Sequence, residues 1–292
     1  MLKIAISGIN GFIGKNLTIL LDEKNIDYFS LDEFLSVKSG SLEEMKLNVP
    51  RFDVLIHLAA RSFIPDSYNS PNLFYEQNFQ TTLKCLELAR KKGASFLYFS
   101  SYIYGRPMYL PVDEIHPLNP INTYSRSKFI CEELCKGYSQ DFNVPCIILR
   151  PFNIYGPFQK SNFLIPKIIT EAISKKSVIL HDPVPKRDFL HVKDLVEAVF
   201  KIVSKKFPSL EIYNLGSGES FSVLEVAQIV REFLPGISVS FDHEVRPSEV
   251  LETISDSSKF SSDYNWNPDV KIRNGIGSLI QETRITLNGR IE

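Results

Sequence analysis

The first twenty residues restrict the fold more than any other stretch. A strand-length apolar run, "LKIAIS" (2–7), passes directly into "GINGFIGKNL", where Gly8, Gly11 and Gly14 precede an apolar helical segment. A strand that turns into a helix over so few residues needs positions without a Cβ. The free N–H groups and positive dipole end of the helix then form a ready site for a pyrophosphate. The spacing is GxxGxxG rather than GxGxxG, and a plain turn with a close helix–strand contact would carry the same glycines. The next apolar run adds weight to the anion site. "IDYFSLDEF" (26–34) supplies Asp32, 18 residues after Gly14. A carboxylate there accepts hydrogen bonds from a ribose hydroxyl pair and repels a 2′-phosphate, which favours NAD over NADP. The plainer alternative is that Asp32 starts a turn.

Further strand-length runs follow: "DVLIHLA" (53–59), "SFLYFS" (95–100) and "PCIILR" (145–150). Their near-continuous hydrophobicity suits strands buried on both faces. Between them, 72–93 has helical periodicity, with Phe79, Leu83, Leu86 and Ala89 on one face and Gly93 placed as a C-cap. A second helix runs from Tyr124 to Phe142, with Phe129, Ile130, Leu134 and Tyr138 expected on its packed side. The alternation predicts a doubly wound α/β domain with a parallel sheet. After about residue 158 prolines punctuate shorter elements, although a helix (194–203) and a strand in "EIYNLGSG" (211–218) still stand out. The expected division is 1–158, with 187–217 returning to it, and a smaller mixed α/β domain over 159–292.

The chain has 292 residues and a formal charge of −1, so it offers no global attraction for nucleic acid or an anionic membrane. No apolar run of transmembrane length occurs, and "MLKIAISG" lacks the long apolar region of a signal peptide. A cytoplasmic protein is expected. Cys85, Cys131, Cys135 and Cys146 show no CxxC spacing and read as free thiols. His57 and His191 read as packed, hydrogen-bonded side chains, and no metal constellation is visible.

Eight segments in order resemble the extended short-chain dehydrogenase/reductases that act on nucleotide sugars. They are "GINGFIG" (8–14), "HLAA" (57–60), "FSSYIYG" (99–105), "YSRSK" (124–128), "LRPFNIYGP" (149–157), "KRDFLHVKDL" (186–195), "NLGSG" (214–218) and "RPSE" (246–249). The resemblance implies a Rossmann fold, NAD as cofactor, a nucleotide-diphosphate sugar as substrate and a homodimer. It makes Tyr124 the catalytic tyrosine and Lys128 its partner. Ser100, reckoned back from "IYG", becomes the catalytic hydroxyl, with Ser101 as the substitute. Cofactor contacts are implied for Gly8, Asn10, Gly11, Phe12, Ile13 and Gly14, for Asp32, and for Leu58, Ala59 and Ala60. Asn78 would steady the cofactor loop, Lys128 would hold the nicotinamide ribose, and Pro151 and Phe152 would face the nicotinamide. Substrate contacts are implied for Ser101, Tyr102, Asn153, Leu164, Arg187, Arg246 and Glu249. The two arginines would clamp the diphosphate; their plainer reading is ion pairing with Asp188 and Glu249.

An unperturbed tyrosine, with a pKa near about 10, is no base at neutral pH. Lys128, one helical turn beyond Tyr124, is expected to favour the phenolate. The family's dehydratases usually carry Thr-Asp-Glu where this chain has Ser100-Ser101-Tyr102, so the acid pair for 4,6-dehydration is missing. Ser41 stands where many members have an aspartate near the adenine. The resemblance then implies a nucleotide-sugar 4-epimerase that recycles NAD. The alternatives are a 4-keto-6-deoxysugar reductase and a non-enzymatic nucleotide-binding protein.

Overall fold

The computed structural model describes residues 2–36, 48–242 and 249–288. In chain order the elements begin β1 (Lys3–Ser7), α1 (Phe12–Glu23), β2 (Asp27–Ser30), α2 (Asp32–Ser36) and β3 (Val54–His57). They continue with α3 (Ile64–Asn69), α4 (Pro71–Lys92), β4 (Ser95–Phe99), α5 (Thr123–Phe142), β5 (Cys146–Pro151) and β6 (Asn153–Tyr155). Next come α6 (Leu164–Lys175), β7 (Ser177–Leu180), β8 (Lys186–His191), α7 (Val192–Val203), β9 (Leu210–Leu215) and β10 (Ser220–Ser222). The last are α8 (Val223–Phe233), β11 (Ser238–Phe241), α9 (Ser258–Tyr264) and α10 (Ile272–Asn288).

Two compact units result. The first comprises Met1–Gly105, Pro117–Pro151 and Val196–Asn214; the second comprises Arg106–His116, Phe152–Leu195 and Leu215–Glu292. The division thus falls at Pro151 rather than 158, and the returning segment is shorter than 187–217. Two local causes are visible: β5 ends at Pro151, and the Phe152 amide donates to the Leu215 carbonyl (2.9 Å) within the second unit.

The first unit is built on a six-stranded sheet in the order β2-β1-β3-β4-β5-β9. In register, Ile4 lies beside Val54, Leu55 beside Phe96 and Leu97 beside Ile147, all in parallel pairs. Every residue of β3 and β5 is buried, as continuous apolar strands covered on both faces should be. The order reverses about β1, which lies between β2 and β3. Ligands of such sheets bind at this reversal, beyond the carboxyl ends of the strands.

α5 begins with a reciprocal capping box. Asn122 Oδ1 accepts from the Ser125 amide (2.8 Å), and Ser125 Oγ accepts from the Asn122 amide (3.1 Å). Its buried face differs from the expected one. Lys128, Cys131, Glu132, Cys135 and Ser139 are buried, whereas Ile130 is 40% exposed. The helix is rotated because Lys128 and Glu132 each find a buried partner, described below. α4 shows a smaller shift: Asn78, Thr82, Cys85, Leu86 and Ala89 are buried, while Phe79 and Leu83 are only half-buried. All four cysteines are free and buried in the core of this unit.

The second unit is mixed α/β. β8 pairs antiparallel with β10 and parallel with β6, and β7 pairs parallel with β11. Ile168, Val226, Val230 and Ile276, from α6, α8 and α10, share its core.

Candidate active site

The glycine turn leaves β1 and opens α1. Gly8 has φ +80°, and a Cβ there would lie 2.7 Å from the Ala59 amide nitrogen. A Cβ on Gly14 would meet the carbonyl oxygens of Gly8 and Ile9 at 2.4 Å, so the helix could not close on the turn. Gly11 is the N-cap and has no side chain to satisfy the first amides of α1. Asn10 and Gly11 are exposed, while Phe12 and Ile13 are half-buried. The cradle therefore fits a dinucleotide pyrophosphate held by backbone donors.

Asp32 lies two residues beyond β2 and begins α2. Its carboxylate accepts from the amides of Gly8 (2.6 Å) and Ile9 (3.1 Å), tying the end of the second strand to the glycine turn. "HLAA" runs past the same turn: the Leu58 amide donates to the Ser7 carbonyl (2.9 Å), and Ala60 is exposed. Ser41 lies outside the described residues.

Beneath this turn Ser7 Oγ bonds His57 Nδ1 (2.6 Å), and His57 Nε2 bonds Thr82 Oγ1 (2.9 Å). Burial pushes the His57 pKa down to about 3, with a smaller contribution from the Lys128 charge. The imidazole is neutral and packed, as its apolar strand suggests. Burial likewise lowers His191 to about 4, with Lys193 assisting. Asn78 ties two segments together. Its Oδ1 accepts from the Arg61 amide (2.8 Å), and its Nδ2 donates to the Arg61 carbonyl (3.2 Å) and to Ser127 Oγ (2.9 Å). The segment after β3 is thereby fastened to the helix carrying Tyr124 and Lys128.

Burial raises the Tyr124 phenol, and a hydrogen bond between its side chain and that of Ser101 opposes the rise. Ser100 is buried, and its hydroxyl has no hydrogen-bond partner among the described residues. Lys128 is buried on α5. Its Nζ donates to the Phe99 carbonyl (2.6 Å) and lies 4.9 Å from the centre of the Tyr98 ring. Burial lowers its pKa to about 8. Its ammonium is held at the carboxyl end of β4.

Tyr102 donates its hydroxyl to the Gly105 carbonyl (2.8 Å) and sets its ring edge-on to Tyr104. Pro151 and Phe152 are both buried. In the second unit Asn153 is exposed at the start of β6, and Leu164 is half-buried at the start of α6. Arg187 forms an ion pair with Glu249, and its Nη1 donates to the carbonyls of Lys186 (2.8 Å) and Val250 (2.6 Å). The Asp188 carboxylate accepts from the amides of Ser217 (2.6 Å), Gly218 (3.0 Å) and Ser255 (3.0 Å). Arg246 lies outside the described residues.

Sequence reasoning passed over one buried network. Arg150 Nε and Nη2 donate to Glu132 Oε1 (3.0 Å) and Oε2 (2.6 Å). Arg150 Nη1 also donates to the Tyr104 hydroxyl (2.9 Å). The sequence held a signal for it: an arginine closing the otherwise apolar run "CIILR".

Among the described residues no group of three or more His, Cys, Asp or Glu could hold a metal ion. No described helix is long and apolar enough to cross a membrane.

Known proteins resemble this chain. The chain is 27% identical over 300 residues to UDP-glucose 4-epimerase of Corynebacterium glutamicum, covering 92% of this chain and 91% of that one. It is 30% identical over 279 residues to GDP-6-deoxy-D-talose 4-dehydrogenase of Aggregatibacter actinomycetemcomitans, covering 91% and 93%. Its fold matches that of Thermus thermophilus UDP-glucose 4-epimerase, solved in complex with NAD, with a TM-score of 0.84 at 24% identity over 97% and 99% of the two chains. Residues 4–216, from the first strand past the glycine turn and the Tyr–Lys helix to "NLG", match the model of one family. With that span and this cradle, the chain belongs to the NAD dependent epimerase/dehydratase family.

Proposed function

We propose that the protein is a nucleotide-sugar 4-epimerase. The observation that carries this reading is the placement of Tyr124 and Lys128 on a helix fastened, through Asn78, to the segment after β3. Bound NAD supplies a reversible hydride acceptor. Gly8, Gly11 and Gly14 would hold its pyrophosphate, Asp32 its adenine ribose and Lys128 its nicotinamide ribose. Tyr124 takes the proton from the sugar's 4-hydroxyl as the carbon–hydrogen bond at C4 is broken, and returns it when that bond re-forms on the other face. Ser101 orients the same oxygen, and its donation to the phenolate offsets part of the cost of ionising a half-buried tyrosine.

The chain's own residues disfavour dehydration. Tyr102 stands where the dehydratases carry an acid, and its hydroxyl is engaged by the Gly105 carbonyl. Diphosphate binding at Arg187 requires its guanidinium to exchange Glu249 for phosphate oxygens, a swap suited to its planar donor fork.

Purified protein should release NAD on denaturation. Native protein should then interconvert UDP-glucose or UDP-GlcNAc with the C4 epimer without added cofactor. Protein that carries no NAD and oxidises NAD(P)H only with a 4-keto-6-deoxy sugar would instead establish the reductase reading, which the 30% identity to a 6-deoxytalose 4-dehydrogenase favours.

A further inference from the structure

The buried network around Arg150 joins the two segments that carry the Tyr124–Ser101 pair. Tyr124, Lys128 and Glu132 follow one another at intervals of four along a single ridge of α5. Glu132 thus lies roughly 12 Å along the axis from the tyrosine. Its carboxylate receives two parallel donors from Arg150 on β5, and their side chains are 0% and 2% exposed. The third Arg150 contact is the hydroxyl of Tyr104, which in turn donates to Asn214 Oδ1 on β9 (2.7 Å). Tyr104 belongs to the irregular segment after β4 that includes Ser101, and it is fully buried.

Stability alone does not call for this arrangement. A well-packed apolar set of similar volume is often as stabilising as a buried ion pair, because two charges must be stripped of water. What the ions add is a single geometry. The fork of Arg150 favours one rotational setting of α5, and another of its N–H groups holds the Tyr104 hydroxyl. The helix with the phenol and the loop with its serine partner are therefore indexed to the same guanidinium.

We propose that Glu132, Arg150, Tyr104 and Asn214 form a positioning relay that sets the serine-bearing segment after β4 against the Tyr124 helix. The relay touches neither cofactor nor substrate and acts through the pair. As a statement about catalysis it rests on the epimerase reading; as a statement about the phenol it does not.

The test uses Tyr104→Phe, which removes one oxygen and leaves the Glu132–Arg150 pair in place. Tyr124 is titrated by NMR in protein labelled at tyrosine Cζ, its signal assigned by its loss in Tyr124→Phe. Loosening the serine contact removes a donor that favours the phenolate, so the Tyr124 midpoint rises by about half a pH unit. With UDP-glucose, kcat falls about tenfold while KM stays within about twofold, as expected for lost alignment rather than lost binding. An unchanged midpoint with unchanged kcat would overturn the relay, even if the variant melted at a lower temperature. If native protein does not turn over UDP-glucose, the epimerase reading falls and the phenol titration alone decides the relay. Should Tyr104→Phe not fold, Asn214→Ala removes the last acceptor, leaves Tyr104 on Arg150, and is read in the same way.

Discussion

At the scale of single residues, the site turns on which hydroxyl meets the Tyr124 phenol. Burial resists ionisation of that phenol, and Ser101 supplies the opposing hydrogen bond. Ser101→Ala should lower kcat by about 10²-fold, the usual range for losing a group that shares in proton transfer. Its effect should exceed that of Ser100→Ala; the reverse order in steady-state kinetics would return the role to Ser100. His57 carries a second prediction. It stays neutral in the folded chain because its pKa there is about 3, against 6.5 when unperturbed. Between those values the unfolded chain binds a proton that the folded chain does not, so stability falls as pH drops below 6.5. By pH 5 the loss is about 2 kcal/mol. Urea unfolding of wild type and His57→Gln at neutral pH and at pH 5 measures it. An equal loss in both proteins would assign the pH dependence to other groups.

Among the elements, α1 and α5 do most to place the site, and each offers a test. Gly14→Ala puts a methyl where two carbonyl oxygens already stand 2.4 Å away, and backbone cannot give way as a side chain can. NAD affinity, measured by calorimetry on stripped protein, should fall at least about tenfold as the pyrophosphate cradle opens. Wild-type affinity would show that the turn has slack. Gly137 is the converse case. It lies inside α5, and a Cβ there would meet nothing within 4 Å. Gly137→Ala should raise stability by about 0.5–1 kcal/mol through helix propensity, with activity retained. A lower midpoint in denaturant would contradict the open space around it. The elements also show where periodicity misleads. The apolar stripe of α5 placed Ile130 on the packed side, yet the helix turns Lys128 and Glu132 inward because those charges have buried partners. Hydrophobic spacing cannot register a preference that a guanidinium on another strand creates.

For the whole molecule, a net charge of −1 supplies no global attraction for an anion, so on the proposed reading the N-terminus of α1 and Arg187 would each hold phosphate locally. Asp32 orders the backbone of the glycine turn, and Asp188, next to Arg187 in sequence, orders the turn after β9. Family resemblance adds an expected pairing of subunits through helices flanking the sheet. Light scattering at micromolar concentration should report twice the 33.3 kDa chain mass. A monomer under those conditions would oppose the homodimer.

The sequence by itself determined the parallel α/β sheet, the glycine turn, the acidic residue after the second strand and the helix with Tyr124 and Lys128. Each of these depends on local rules: side-chain periodicity, the absence of a Cβ at a tight turn, and capping within a few residues. Only the tertiary structure separates the two serines after β4: Ser100 is buried with no hydrogen-bond partner for its hydroxyl among the described residues, whereas Ser101 is half-buried. It alone gave Arg187 to Glu249, 62 residues away, and left Asp188 to organise backbone amides. It alone joined Tyr104 to Asn214, 110 residues apart, through a hydroxyl that Arg150 also holds. Such contacts depend on which distant groups the closed sheet brings within hydrogen-bond range, and no short window of sequence contains both partners.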